Sequence, residues 1–155
     1  MEGLNRVRVG VIGAAECSQE IYNVAKTVGR EVAKRNAILI CGGLGGVMEA
    51  AARGAVEASG VTVGILPGES EHQANSYITI PIPTGLNHAR NVVVARASQV
   101  LIAVSGGYGT LSEIALALKM EKNVVGLHTW RHVPGIMHAE DPVEAVEMAF
   151  SFLHP

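Results

Sequence analysis

The chain has 155 residues, 48% of them hydrophobic and 17% charged, and its 12 Lys and Arg against 14 Asp and Glu leave a formal net charge of −2. This composition excludes an extended disordered chain, and the lack of a basic run or an aromatic-rich basic stripe excludes the phosphate-tracking surface of a nucleic-acid binder. No apolar stretch is long enough to span a bilayer, and the start MEGLNRVRVGVIG has no apolar leader. Cys17 and Cys41 make neither a disulfide framework nor a CxxC motif, so a cytoplasmic, reducing location without a membrane partner is expected.

Short β-branched runs alternate with helical patterns along the sequence. Val7–Gly13 (VRVGVIG) reads as a first strand, and Glu20–Lys34 as a helix with Ser18 available to cap it. Ala37–Cys41 (AILIC) is a second strand, followed at once by Gly42-Gly43-Leu44-Gly45-Gly46. Val47–Ala58 is an alanine-rich helix with Gly60 as its stop, and Val61–Leu66 (VTVGIL) is a third strand. Glu69–Ser76 is polar and aperiodic, the pattern of a mobile loop. Tyr77–Ile80 is a short strand candidate before Pro81 and Pro83, and Asn87–Ala97 a helix candidate.

The second half repeats the scheme. Gln99–Val104 (QVLIAV) reads as a strand leading into Ser105-Gly106-Gly107-Tyr108-Gly109. Thr110–Met120 is a helix, Asn123–Leu127 a strand and Asp141–Phe150 a final helix. Strands that are continuously apolar rather than alternating imply a sheet buried on both faces. Residues 1–155 are therefore expected to form one α/β domain, a doubly wound, mostly parallel Rossmann-like sheet with helices on both faces.

Ligands of such sheets sit beyond the carboxyl ends of the strands. Both glycine clusters fall at that edge, each between a strand and a helix. There glycine lets backbone N–H groups approach an anion, and the helix adds its unpaired N–H groups and positive dipole end. Glycine also serves tight turns with no ligand, but two such loops at one edge point to a phosphate site. Neither loop continues into the Lys-Ser or Lys-Thr of a Walker A motif. Gly10-Val-Ile-Gly13 only partly matches a dinucleotide fingerprint, and no acidic residue stands at the end of the second strand.

Arg90 lies in Asn87-His88-Ala89-Arg90-Asn91, and Glu113 closes Gly106-Gly107-Tyr108-Gly109-Thr110-Leu111-Ser112-Glu113. Thr110 and Glu113 have capping-box spacing, which by itself explains both without a ligand. The HARN and GGYGTLSE segments, with the earlier CGGLGGVMEAAARGA, resemble the LOG-like (lysine-decarboxylase-like) Rossmann superfamily. That group includes cytokinin-activating phosphoribohydrolases and molybdenum-cofactor carrier proteins, and the resemblance runs from the first strand to about Leu127.

The resemblance implies that Arg90 and Glu113 correspond to the catalytic arginine and glutamate of the enzymes. Gly106, Gly107, Gly109 and Thr110 would match their phosphate loop, and Gly42, Gly43, Gly45 and Gly46 their first glycine loop. In the enzymes' chemistry, a carboxylate stabilises an oxocarbenium-like state and orients water while an arginine fixes the phosphosugar. This chain carries Ser105 where the enzymes carry proline, Asn91 where they carry lysine after the arginine, and Glu49 where they carry glycine. Its length and its VMEAA and NHARN segments look closer to the carrier proteins.

Other residues carry two readings each. His88, two residues from Arg90, either donates to a phosphate or packs as a cap. Tyr108 either stacks on a base or fills the space above the glycine turn, and Gly13 closes the first strand at the same edge. His128, His132 and His138 match no compact metal motif and read as surface histidines beyond the last strand, so no metal site is expected. Cys41 reads as a small buried residue.

Three functions follow as expectations. The first is binding or carriage of a phosphorylated heterocycle, a nucleotide or a molybdopterin-type cofactor, with no other cofactor required. The second is hydrolysis of nucleoside 5′-monophosphates to base and ribose 5-phosphate. The third is ligand sensing through assembly, since the resemblance implies a homo-oligomer of two or more copies.

Overall fold

Five β-branched runs have no polar face, so each is stable only when covered on both sides. In a computed structural model, which describes residues 5–153, they form the centre of one seven-stranded sheet in which every pair is parallel. The ends of the expected 1–155 unit, residues 1–4 and 154–155, lie outside the described residues.

The chain order is β1 Arg8–Gly13, α1 Gln19–Lys34, β2 Ile38–Cys41, α2 Val47–Glu57, β3 Val61–Leu66 and β4 Ile80–Pro83. It continues with α3 Arg90–Ala97, β5 Val100–Val104, α4 Tyr108–Lys119, β6 Asn123–Leu127, β7 Ile136–His138 and α5 Pro142–Ser151. Across the sheet the order is β4-β3-β2-β1-β5-β6-β7. The chain builds outward one way from β1 to β4, then returns to place β5 on the other side of β1. That reversal opens a crevice between the carboxyl ends of β1 and β5, the place where doubly wound sheets hold ligands.

One core layer sets Ala25, Val28 and Val32 of α1, Ala51 and Ala55 of α2, and Val146 and Ala149 of α5 against one sheet face. The other packs Val94 of α3 and Ile114 and Ala117 of α4 against Ile12, Leu101 and Val124. The α1–α2 crossing needs glycine: a β-carbon on Gly29 would stand 1.8 Å from the Ala51 carbonyl oxygen, and one on Gly54 1.9 Å from that of Lys26.

The expected Ser18 cap is realised, and several other local expectations change. Ser18 caps α1, accepting from Ile21 N–H at 3.2 Å. After α2, the left-handed residue is Ser59 (φ 62°), not Gly60, although the Gly60 N–H closes the motif on Ala55 O at 2.8 Å. The fourth strand is Ile80–Pro83 rather than Tyr77–Ile80, because an edge strand tolerates prolines on its unpaired side. The Asn87–Ala97 segment begins as a 3-10 turn over Asn87–Ala89 before α3. The sequence reading ended the sheet at Leu127, but β7 adds a strand, and His138 lies in it, half-buried, with its Nε2 enclosed and without a partner among the described residues.

Candidate functional site

The segment Ser105–Gly109 turns sharply at the end of β5. Ser105 and Gly106 both take positive φ (54° and 109°), and a β-carbon on Gly106 would meet Thr110 Oγ1 at 2.2 Å. The helix begins at Tyr108, with Gly107 as N-cap and no side chain capping it. Thr110 therefore stands inside the first turn. The capping-box reading of Thr110 and Glu113 is overturned: both are buried, and one turn apart they share a helix face.

Three carbonyl oxygens of this segment are taken by side chains. Thr129 Oγ1 donates to Ser105 O at 2.8 Å, Trp130 Nε1 to Gly107 O at 3.2 Å, and Ser112 Oγ to Gly109 O at 2.6 Å. The N–H groups of Gly107, Tyr108, Gly109 and Thr110 have no acceptor among the described residues. Three acceptors are held while four consecutive donors are free among the described residues, at the positive end of a helix dipole.

This segment forms one wall of a cleft of about 570 Å³ at the β1–β5 crevice. Gly13, Ala14 and Ala15 line it from the end of β1, Leu44 and Met48 from the first glycine loop and α2, and Pro67 from the end of β3. Asn87, His88, Arg90 and Asn91 close it from the start of α3, and Gly107, Gly109, Thr110 and Glu113 from α4. A β-carbon at Gly107 or Gly109 would meet no protein atom within 4 Å. Their lack of a side chain is thus required by nothing within the fold and leaves the cleft wall bare.

Arg90 is 9% exposed and its guanidinium lies over the first glycine loop: a β-carbon on Gly42 would sit 2.8 Å from Nη2. Nη1 donates to Asn91 Oδ1, while the enclosed Nε has no partner among the described residues. Glu113, 6% exposed, has its carboxyl pushed up to about 7 by burial, with the nearby Arg90 acting in the opposite sense. Behind them, burial pushes the Cys41 thiol up to about 12, with Gly43 N–H and Arg90 opposing and Glu113 reinforcing. An arginine with donors to spare and a carboxyl that gains or loses a proton near neutrality can together hold an anion and exchange a proton with it.

The structure brings Gly13, His88, Arg90, Gly107, Gly109, Thr110 and Glu113 to the cleft. Gly42, Gly43, Gly45, Gly46 and Gly106 do not line it; they shape the turns behind it. Gly43 and Gly46 take positive φ (80° and 62°), and Gly46 abuts the Ala14 carbonyl that accepts from Val47 N–H at 2.9 Å. Tyr108 is 85% exposed and leans on Trp130 with ring centroids 6.0 Å apart, so it neither lines the cleft nor fills the turn. Asn91, Ser112, Thr129 and Trp130 were not singled out as site residues from sequence. Only the adjacency of Asn91 to Arg90 and of Ser112 to Glu113 could have drawn attention to them.

Among the described residues no three His, Cys, Asp or Glu side chains converge as a metal site would require, and no helix is long and apolar enough to cross a membrane.

The profile of the SLOG cluster4 family matches residues 6–150. An uncharacterized protein of Archaeoglobus fulgidus is 46% identical over 145 residues, covering 94% of this chain and 95% of its own. The solved structure of a molybdenum cofactor binding protein from Rippkaea orientalis superposes with a TM-score of 0.91 at 33% identity, covering 97% of this chain and 99% of that one. The molybdenum cofactor carrier protein of Chlamydomonas reinhardtii superposes at 0.87 with 34% identity, covering 97% and 100%.

Proposed function

The chain belongs to the SLOG cluster4 family, and from that premise we propose that it binds and carries a phosphorylated heterocycle of the molybdenum-cofactor type in the β1–β5 cleft. One observation carries the reading. The loop before α4 has three carbonyl oxygens occupied by Thr129, Trp130 and Ser112, and four consecutive N–H groups without an acceptor among the described residues. A phosphate is the group that fits such a row of free donors, and Arg90 adds charge beside it. The cleft volume lies within the range of sites for ligands of this size. The likeness to the molybdenum cofactor proteins of Rippkaea orientalis and Chlamydomonas reinhardtii supports a pterin-bearing cargo rather than a simple sugar phosphate.

The roles follow from the geometry. The N–H groups of residues 107–110 take the phosphate oxygens, the guanidinium of Arg90 holds the same anion from the α3 side, and Leu44, Met48 and Pro67 offer apolar contact to the ring system. Exposed Leu86 and Val92 near the start of α3 support a homo-oligomeric carrier. The test is to denature purified protein and search the supernatant for an oxidised pterin by fluorescence, beside melting curves with added nucleotides. A pterin released by the wild type and depleted in Arg90→Ala is the expected result. The reading fails if no pterin is found and neither pterins nor nucleotides at millimolar concentration shift the melting temperature.

A second reading has its own support in the Glu113 carboxyl, held at about 7 by burial next to Arg90. General acid–base groups work best with such values near the operating pH. On that reading the protein hydrolyses nucleoside 5′-monophosphates, with Glu113 as the catalytic carboxyl and Arg90 as the anchor. Release of ribose 5-phosphate by the wild type and none by Glu113→Gln is expected; equal turnover by both removes Glu113 from the chemistry.

A further inference from the structure

Four polar groups from two helices form a single directed chain along the wall of the cleft. Arg90 Nη1 donates to Asn91 Oδ1; Asn91 Nδ2 donates to Ser112 Oγ at 3.0 Å; Ser112 Oγ donates to Gly109 O at 2.6 Å. Each direction is forced by the one before it. A guanidinium has no acceptor, so Asn91 must turn its oxygen toward Arg90 and its NH₂ toward Ser112. Ser112 Oγ accepts that N–H, so its own proton goes to the Gly109 carbonyl. The chain starts at the guanidinium and ends on the backbone of the loop that bares its N–H groups. It also joins positions 21 residues apart, across the α3–α4 contact.

We infer that Asn91 and Ser112 are positioning residues of the anion site, holding the Arg90 guanidinium in register with the Gly107–Thr110 N–H groups so that a phosphate meets both at once. The inference rests on the cleft being a phosphate site, and it adds which residues set its geometry. Asn91 is 8% exposed, and its bond to Arg90 is buried, whereas its bond to Ser112 is only partly covered. Ser112 is exposed, and its hydroxyl is the link that can be removed without opening the core. Without the chain, the guanidinium is free to swing over Gly42 and Gly109 loses the brake on its carbonyl, so the two halves of the anion site no longer meet one ligand.

Inorganic phosphate is the probe, titrated by calorimetry into wild type, Ser112→Ala, Ser112→Thr, Asn91→Ala and the Asn91→Ala/Ser112→Ala pair. Ser112→Ala is expected to weaken phosphate about tenfold, the effect of one hydrogen bond to a charged network, with its melting temperature unchanged. Ser112→Thr keeps the hydroxyl and is expected to restore affinity, which a merely structural role for the side chain would not require. Because Asn91 and Ser112 act in series, the double variant is expected to bind no more weakly than Asn91→Ala alone. Should Asn91→Ala fail to fold, Ser112→Ala and its threonine rescue carry the test. Wild-type affinity in Ser112→Ala, or a threonine variant as weak as the alanine, overturns the relay while leaving the phosphate site intact. A wild type that binds no phosphate overturns the reading of the cleft, and the relay with it.

Discussion

Arg90 and Glu113 line the same cleft from two neighbouring helices, yet no hydrogen bond or ion pair joins them. Arg90 gives one Nη to Asn91 and leaves Nε without a partner among the described residues, while burial rather than pairing governs the Glu113 carboxyl. A closed salt bridge would neutralise both and leave little for a ligand. Held apart, they keep a cationic donor and a proton-exchanging group available to a third molecule, and this arrangement has consequences for stability and binding.

Glu113 titrates at about 7 in the folded protein and at 4.5 as an unperturbed group, because burial disfavours its charged form. Between those values the native state keeps a proton that the unfolded chain has released. The contribution of Glu113 to stability is therefore most favourable below about pH 4.5, falls as pH rises toward about 7, and levels off above it at a penalty on the order of 3 kcal/mol. Glu113→Gln cannot ionise and escapes this penalty. Urea melts of both proteins across the window should show the variant gaining on the wild type as pH rises; a constant difference would mean that the carboxyl is not desolvated. The same proton bears on ligand: phosphate affinity of the wild type relative to Glu113→Gln should drop through about pH 7, as the carboxylate charges beside the anion.

Two glycines of the site should respond oppositely to alanine. At Gly109 a β-carbon meets nothing within 4 Å, and the position lies in the first turn of α4, so Gly109→Ala should leave stability unchanged or raise it by about 0.5–1 kcal/mol. It should nonetheless weaken phosphate binding, because the new methyl enters the cleft. At Gly13 the β-carbon would stand 2.2 Å from Val104 O and 2.6 Å from Val47 Cγ1, so Gly13→Ala should cost about 1–3 kcal/mol or more by forcing β1 from β5. Thermal melts paired with phosphate titrations separate the two effects, and a strongly destabilised Gly109→Ala would contradict the open wall.

The fold was legible wherever one property dominated. β1, β3, β5 and β6 are short continuous apolar runs, and α1 carries the Ser18 cap that the structure realises, while Asp141, read as the first residue of the last helix, is the cap of α5. β4 was misplaced because Pro81 and Pro83 argue against a strand until its edge position is known. β7 has only Ile136–His138, too few residues to show any pattern. At the site, Arg90, Glu113 and the second glycine loop were readable as a motif. The capping-box reading failed because the helix starts two residues earlier than Thr110, which turns Thr110 and Glu113 toward the cleft. Asn91, Thr129 and Trp130 escaped because their partners lie 21 to 24 residues away, and only tertiary contact makes them part of the loop.

The polar segment expected as a mobile loop is tied down at one end. Asn75 donates from Nδ2 to Leu44 O at 2.8 Å and Gly43 O at 3.3 Å, and from its backbone N–H to Gly43 O at 2.9 Å. The side chain thus holds the carbonyls of the first glycine loop, and Leu44 from that loop lines the cleft. Asn75→Ala keeps the backbone bond and loses the other two, together with the bond that Oδ1 accepts from Tyr77 N–H at 3.0 Å, for an expected cost of about 1–3 kcal/mol. Hydrogen exchange should quicken at residues 43–46 more than in β5 or α4. Uniform acceleration across the sheet would instead mean global destabilisation and no local tether.

The two thiols sit in environments different enough to be told apart by reactivity. Cys41 is fully buried at the end of β2, and burial lifts its thiol to about 12, so almost no thiolate exists near neutral pH and no reagent reaches it. Cys17 is only partly covered; burial and then Glu49 raise its thiol as well, so it should react, but slowly. Native protein treated with an aromatic disulfide at neutral pH should label Cys17 alone, and denatured protein both cysteines. Cys17→Ser should abolish the native signal. Cys17 follows Ala14 and Ala15 in the connection that lines the cleft, so phosphate bound across from them should slow its labelling further. Rapid reaction of Cys41 in the native state would show that the wall behind Arg90 and Glu113 opens to water, which their burial does not permit.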